Sequence, residues 1–247
     1  GFNDSWKSNW SRSTISKNFI KYTELFPDSE EFKYMAGYGK NGGTCPSDEI
    51  RVFKESGYYI LRNGWKKSST MMILSNNYLN NGDPKNSGVC EYYSYSGSTA
   101  AQTNARRAKF RSSKMHNTLT LNGKNYTSTL GKYLSHGTID NGKTKVVVFE
   151  NQGYSNLKHR RYVFFVNNTF FVIVDEGVKS EPVLLHFNLC DGGTVITNNA
   201  DKSARATFSD DNNIIISTVF ANGTYTLTDS KEGEMSFKAS DEAFTFP

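Results

Sequence analysis

Long apolar runs are missing from this 247-residue chain. No stretch approaches the roughly eighteen consecutive apolar residues that a membrane-crossing helix needs. The N-terminal GFNDSWKSNW has neither the basic nor the apolar region of a signal peptide. The chain is therefore expected to be soluble, with no membrane partner, and any targeting segment is expected to lie outside it. Proline is scarce, at five residues, and no low-complexity tract, internal repeat or interdomain linker stands out. The three cysteines, Cys45, Cys90 and Cys190, are odd in number and far apart. That excludes a disulfide framework and any CxxC metal site, while leaving a single disulfide open. Charge of one sign is not abundant either. A net charge of +5 is too small for a dedicated nucleic-acid binder, yet it fits attraction to a polyanion such as an acidic polysaccharide.

What the chain does have is aromatic residues, 14 Tyr, 17 Phe and 3 Trp, with Asn, Ser, Thr and Gly between short apolar segments. This is the composition of stacked strands joined by polar turns. One convincing helical stretch lies in residues 11–36, where Ile15, Phe19, Ile20 and Leu25 fall near a helical period before Pro27 breaks it. A second short helix should start at Asp28 or Ser29, with Glu30 and Glu31 in its first turn. Strands are expected at Tyr58–Arg62, Met71–Leu74, Thr118–Leu121, Lys145–Glu150, Arg161–Val166, Phe170–Asp175, Val183–Asn188, Ile214–Val219 and Tyr225–Thr228. Asn167 and Asn168 mark a tight hairpin, because asparagine tolerates positive φ. The expected fold is mainly β, a large antiparallel β-sandwich (41–247) preceded by a short helical segment (1–40).

The densest chemical signal runs from Tyr92 to Asn125. Arg106, Arg107, Lys109, Arg111 and Lys114 fall together with no acidic residue among them, preceded by Tyr92, Tyr93 and Tyr95 and followed by His116 and Asn117 at the mouth of a strand. Arginines can fork onto carboxylate or sulfate oxygens while an imidazole moves a proton or binds metal. The plainer alternative is a solvated basic face and a hydrogen-bonded structural histidine. His159 in KHRR could contact substrate, though at the start of a strand beside Arg160 and Arg161 it reads at least as well as a structural residue, and His186, alternating with apolar neighbours, reads as a sheet residue. His136 in SHGTIDNG reads as a turn residue. Trp6, Trp10 and Trp65 could stack on sugars but read more simply as buried where the helices meet the sheets.

The segments SGVCEYYSYSG, RSSKMHNTLTLNGKN and KHRRYVFFVNNTFFVIVDE resemble the C-terminal β-sandwich domain of heparinase II/III-like polysaccharide lyases. The opening GFNDSW is similar to the stretch that follows the helical toroid in that family. The resemblance implies β-elimination of uronic-acid-containing, heparin- or heparan-sulfate-like polysaccharides in a bacterial periplasmic or secreted setting. It also implies a helical toroid as partner domain, which is not in this chain. His116 matches the histidine of the family's HNT motif and is the catalytic candidate. Arg106, Arg107, Arg111, Tyr93, Tyr95 and Asn117 are the substrate-contact candidates. In some family members the HNT histidine binds zinc. No cofactor is expected here, because zinc needs three or four convergent ligands and only His116 has a counterpart. The family's upstream HxxPD- or HxHxD-like histidine motif is also lacking. The stretch from Asn76 to Gly88 is too short to hold that motif and the strand after it, which leads us to expect residues in the natural polypeptide between about Gly82 and Gly88 that this sequence omits. The rival reading is a non-catalytic carbohydrate-binding or structural β-sandwich module.

If Arg106, Arg107 and Arg111 hold an acidic oligosaccharide, changing all three to alanine should weaken low-salt binding. Each exposed pair contributes about 1 kcal/mol or less, so single changes should do little. Titration of a uronate oligosaccharide at two salt concentrations checks this, and equal affinity of the parent and the triple variant would make the cluster a solvated face.

Overall fold

The computed structural model describes residues 12–47, 49–65, 69–76, 90–91, 118–125, 127, 131–155, 157–177, 183–188, 194–198, 200–207, 209, 213–217, 223–229 and 234–239. Helix α1 (Arg12–Leu25) stops just short of Pro27, and α2 (Glu30–Gly37) starts after the N-cap Ser29, whose hydroxyl accepts from Phe32 N at 3.3 Å. Glu30 and Glu31 occupy the first turn of α2, where carboxylates complement the helix dipole. The two helices are joined by rings: Phe32 packs on Phe19, Tyr22 and Phe26. Ile20, Tyr22, Leu25 and Phe26 nevertheless stay exposed.

The described strands are β1 (Arg51–Phe53), β2 (Tyr58–Arg62), β3 (Met71–Ser75), β4 (Cys90–Glu91), β5 (Leu119–Leu121), β6 (Lys132–Ile139), β7 (Thr144–Tyr154), β8 (Leu157–Val166), β9 (Phe170–Glu176), β10 (Val183–Asn188), β11 (Thr194–Asn198), β12 (Ser203–Thr207), β13 (Ile214–Ser217), β14 (Gly223–Asp229) and β15 (Glu234–Ala239). They form four antiparallel sheets: a front sheet β1-β2-β3-β4, a central sheet β6-β7-β8-β9, a rear sheet β14-β15-β10-β5 and a small sheet β11-β12-β13. Strand alternation sends Val147 and Phe149 of β7, and Val163 and Phe165 of β8, to the inner face of the central sheet. There they meet Tyr59, Leu61, Met72 and Leu74 of the front sheet in one closed core. Burying each of these side chains stabilises the fold by about 1.5–3 kcal/mol.

A second, smaller core forms farther along the same two strands, where Tyr154 and Leu157 pack with Leu119, Leu121 and Leu185 of the rear sheet. Reaching it requires a change of phase in β7. The register with β8 shifts between Asn151 and Tyr154, and the Asn151 side chain accepts from Gly153 N at 2.7 Å. This bulge brings Tyr154 to the inner face, where unbroken alternation would have placed Gly153. The Tyr154 hydroxyl then donates to the Lys124 carbonyl and ties the two sheets together.

The mainly-β sandwich with a short helical lead is what the structure contains. Asn167 and Asn168 adopt φ of 50° and 53° in the β8–β9 turn, as the hairpin reading requires. His136 is a correction: it lies in β6, and the turn comes later, at Asp140, Asn141 and Gly142, all with positive φ. KYLSHGTI is exposed along much of its length, so it lacks the apolar alternation that marks a strand. Residues 77–89, where the omitted stretch was expected, lie outside the described residues. Among those described, β3 pairs directly with β4, Ile73 opposite Glu91 and Leu74 opposite Cys90.

A β-carbon placed on Gly131 would fall 2.0 Å from Asn76 Oδ1. Gly131→Ala should therefore evict the Asn76 amide and break its bond to the Glu150 carbonyl, 3.2 Å long. The expected cost is about 1–3 kcal/mol, the usual range for overpacking, read from urea denaturation.

Candidate functional site

The expected site residues Tyr93, Tyr95, Arg106, Arg107, Arg111, His116 and Asn117 all lie outside the described residues. The structure does describe both ends of the segment that carries them. Segment 92–117 follows β4, outermost in the front sheet among the described strands, and precedes β5, outermost in the rear sheet among them. Its return is anchored. Thr118 is fully buried and its carbonyl accepts from His186 N at 2.8 Å. The described strands that flank the segment, β4 and β5, thus belong to the two sheets that pack on the inner face of the central sheet.

Between the two apolar cores, that inner face is polar. Arg161 is 1% exposed and makes a bidentate bond to Asp175 across the β8–β9 pair, Nε to Oδ1 at 2.6 Å and Nη2 to Oδ2 at 2.9 Å. His159 Nε2 bonds the same carboxylate at 2.6 Å. Burial pushes the Asp175 carboxyl up, but the Arg161 guanidinium and His159 outweigh it and hold it far below the usual carboxylate range. His159 is therefore a buried structural residue held by Asp175. His186 is buried as well, with Nε2 2.7 Å from the Thr120 hydroxyl, as its strand position implied. Trp65 is half-buried, donates to the Ser47 carbonyl at 3.2 Å, and carries the Arg62 guanidinium 3.8 Å above its ring. Its indole joins the loop before β1 to the end of β2.

The opposite face of the same strands carries a charged row. Arg160 reaches Glu150 through Nε at 2.9 Å and Nη2 at 2.5 Å, Lys158 lies 3.2 Å from the same carboxylate, and Tyr162 donates to Glu176 at 2.9 Å. Burial raises the Glu150 pKa, but the hydrogen bonds and charges of Arg160 and Lys158 bring it below the ordinary value. On Tyr154 burial prevails and pushes the hydroxyl up to about 12. Among the described residues no group of three or more His, Cys, Asp or Glu side chains comes together to hold a metal ion.

The carboxylates that answer the Arg160–Arg161 pair were not singled out in the sequence. The signal was available. A hairpin turn at 167–168 pairs residue 160 with 176 and 161 with 175, and Asp175 and Glu176 are the acids at those positions.

This antiparallel sandwich is of the polysaccharide-lyase C-terminal type. The chain belongs to the heparinase II/III-like family: the profile described as "Heparinase II/III-like, C-terminal" matches residues 85–242. A heparin-sulfate lyase of Bacteroides thetaiotaomicron is 42% identical over 261 residues, covering 92% of this chain and 36% of the relative. A heparin-sulfate lyase of Pedobacter heparinus is 27% identical and covers 99% of this chain and 39% of its own length. The crystal structure of a heparinase III superimposes with a TM-score of 0.74 at 39% identity, over 96% of this chain and 41% of the other. The chain thus spans about two fifths of the length of these relatives. No helix among the described residues is long and apolar enough to cross a membrane.

Asp175→Ala would strand the Arg161 charge in the interior and should cost about 3–5 kcal/mol. The pH dependence has a definite sign. A carboxyl depressed on folding contributes stability that is present above its unfolded pKa, near 4, and is lost as pH falls toward the folded value. The acid limb of a stability-versus-pH curve should therefore flatten in Asp175→Asn, as measured by urea denaturation between neutral and acid pH.

Proposed function

We propose that the intact protein is a polysaccharide lyase that cleaves heparin- or heparan-sulfate-like chains by β-elimination, and that this chain supplies one wall of its cleft. The observation that carries the reading is the family match over 85–242, which includes the whole of segment 92–117. The similarity to lyases named for heparin sulfate supports the substrate class.

In this reaction a base removes the C5 proton of a uronate, the electrons form a C4–C5 double bond, and the C4–O bond breaks. The leaving oxygen takes up a proton, and no water is consumed. The C5 proton is weakly acidic until the neighbouring carboxylate is neutralised, so groups that hold the developing enolate charge lower the barrier most. His116 is the residue we assign to carboxylate neutralisation or proton transfer. Arg106, Arg107 and Arg111, with Tyr93, Tyr95 and Asn117, hold the acidic chain. The remaining groups belong to a helical toroid domain of the same polypeptide, and the setting is periplasmic or secreted.

The lack of the upstream histidine motif favours a second reading, a binding module that holds polysaccharide without cutting it. Ultraviolet absorbance of the unsaturated uronate separates the two. The intact protein should generate it from heparan sulfate, His116→Ala should lower turnover by about 10²–10⁴, and the 247-residue chain alone should give none. Tight binding by the intact protein with no absorbance change would establish the module instead.

A further inference from the structure

Strands solvated on one face alternate apolar with polar residues, whereas strands covered on both faces carry unbroken apolar runs. The central sheet has the second pattern, with VVVF in β7, YVFFV in β8 and FFVIV in β9. Its inner face is closed by the core that holds Val147, Phe149, Val163 and Phe165. The other half of each run points outward. Cross-strand pairing sets Phe164 between Val146 and Val172, and Tyr162 between Val148 and Val174. Neither core of the described residues lies on this face, and Ile139, Phe170 and Val172 on it are 52%, 52% and 37% exposed. A contiguous apolar patch of several hundred Å² marks a surface that another element covers.

The arrangement across the strands identifies that element. At one end of the face the register places Lys132, Glu150, Arg160 and Glu176 in one row over β6, β7, β8 and β9. Charge alternates along the row, so it reverses sign about the midline between β7 and β8. A copy of the sheet turned over about that midline lays Lys132 on Glu176 and Glu150 on Arg160. The same operation sets small side chains against larger ones. Gly137, paired with Val146, meets Val172, and Ser135, paired with Val148, meets Val174. Ile139, paired with Thr144 at the far end, meets Phe170, paired with Val166 at the same end. The two most exposed apolar side chains of the face thereby cover each other.

We propose that the outer face of the central sheet binds a second copy of this chain, in a dimer whose two-fold axis runs along the strands between β7 and β8. Four strands, over the length from Lys158 to Val166, offer a face of about 30 Å by 19 Å. Two such faces bury a little over about 1,000 Å², the lower end for a specific interface. The dimer is therefore reversible.

Sedimentation of the unmodified intact protein should give twice the single-chain mass at tens of micromolar and fall toward the single-chain mass on dilution. A protein that stays single throughout overturns the proposal and leaves the face to another part of the polypeptide. Ile139→Lys and Phe170→Glu should each move dissociation to at least about tenfold higher concentration, with the circular dichroism spectrum kept, because the contact occurs twice in the dimer. Together they should restore association, since the new charges meet across the axis, while within one chain two strands separate them. Single variants that associate like the parent, or a double variant that stays apart, also overturn it. Should a variant fail to fold, zero-length carbodiimide cross-linking of the unmodified protein decides. Lys132 and Glu176 lie at opposite edges of one sheet, about 14 Å apart, so an amide between them forms only between copies, and a covalent dimer lacking it counts against the two-fold arrangement.

Discussion

The bidentate pair between Arg161 and Asp175 is the constraint around which the sandwich is arranged. An arginine at 1% exposure is tolerable in a protein interior only with its charge answered and its N–H groups bonded. The position of that pair in the β8–β9 ladder limits how far the front-sheet core can extend along the central sheet. On one side lie Val163 and Phe165 with the front sheet, and on the other lies Leu157 with the rear sheet. The protein therefore has two apolar cores separated by a polar belt, and β7 and β8 are long because they must cross the belt to serve both.

Much of this was legible in the residues. Pro27 and Ser29 bounded the helices, and the asparagine pair located the β8–β9 turn, because each of these acts through local backbone chemistry. Strands with a half-buried apolar rhythm, such as YYILR and RYVFFV, were legible for the same reason. What escaped was structure whose cause lies elsewhere in the chain. Strand β6 is exposed along much of its length, and β12 (SARAT) alternates only the small Ala204 and Ala206 with polar residues, so neither carries a strong apolar signal. Both are strands because a neighbour's backbone needs a partner. The separation of the inner face into two cores depends on one bulge, which no spacing rule marks.

The candidate site divides in the same way. Its residue types, arginines and tyrosines before a histidine and a strand, read as chemistry for an anionic sugar from the sequence alone. What the spacing does not show is where the flanking strands go. Among the described strands, β4 and β5 are outermost in two different sheets, and Thr118 is buried with its carbonyl bonded to His186 N. Edge positions leave one side of each strand open. A long functional connection can therefore be attached there without breaking an internal ladder.

The bulge near residues 151–154 also governs how this strand can change through descent. Side chains alternate with a period of two, so one residue gained or lost inside a regular strand exchanges its inside and outside from that point on. In β7 such a change would turn either Phe149 or Tyr154 outward, depending on which side stayed anchored. An odd extra residue is already absorbed at Gln152 and Gly153, and a second could be accommodated there only by undoing the first. Lineages of this domain should therefore vary in length along β7 in even steps, because only those keep Phe149 and Tyr154 on the inner face.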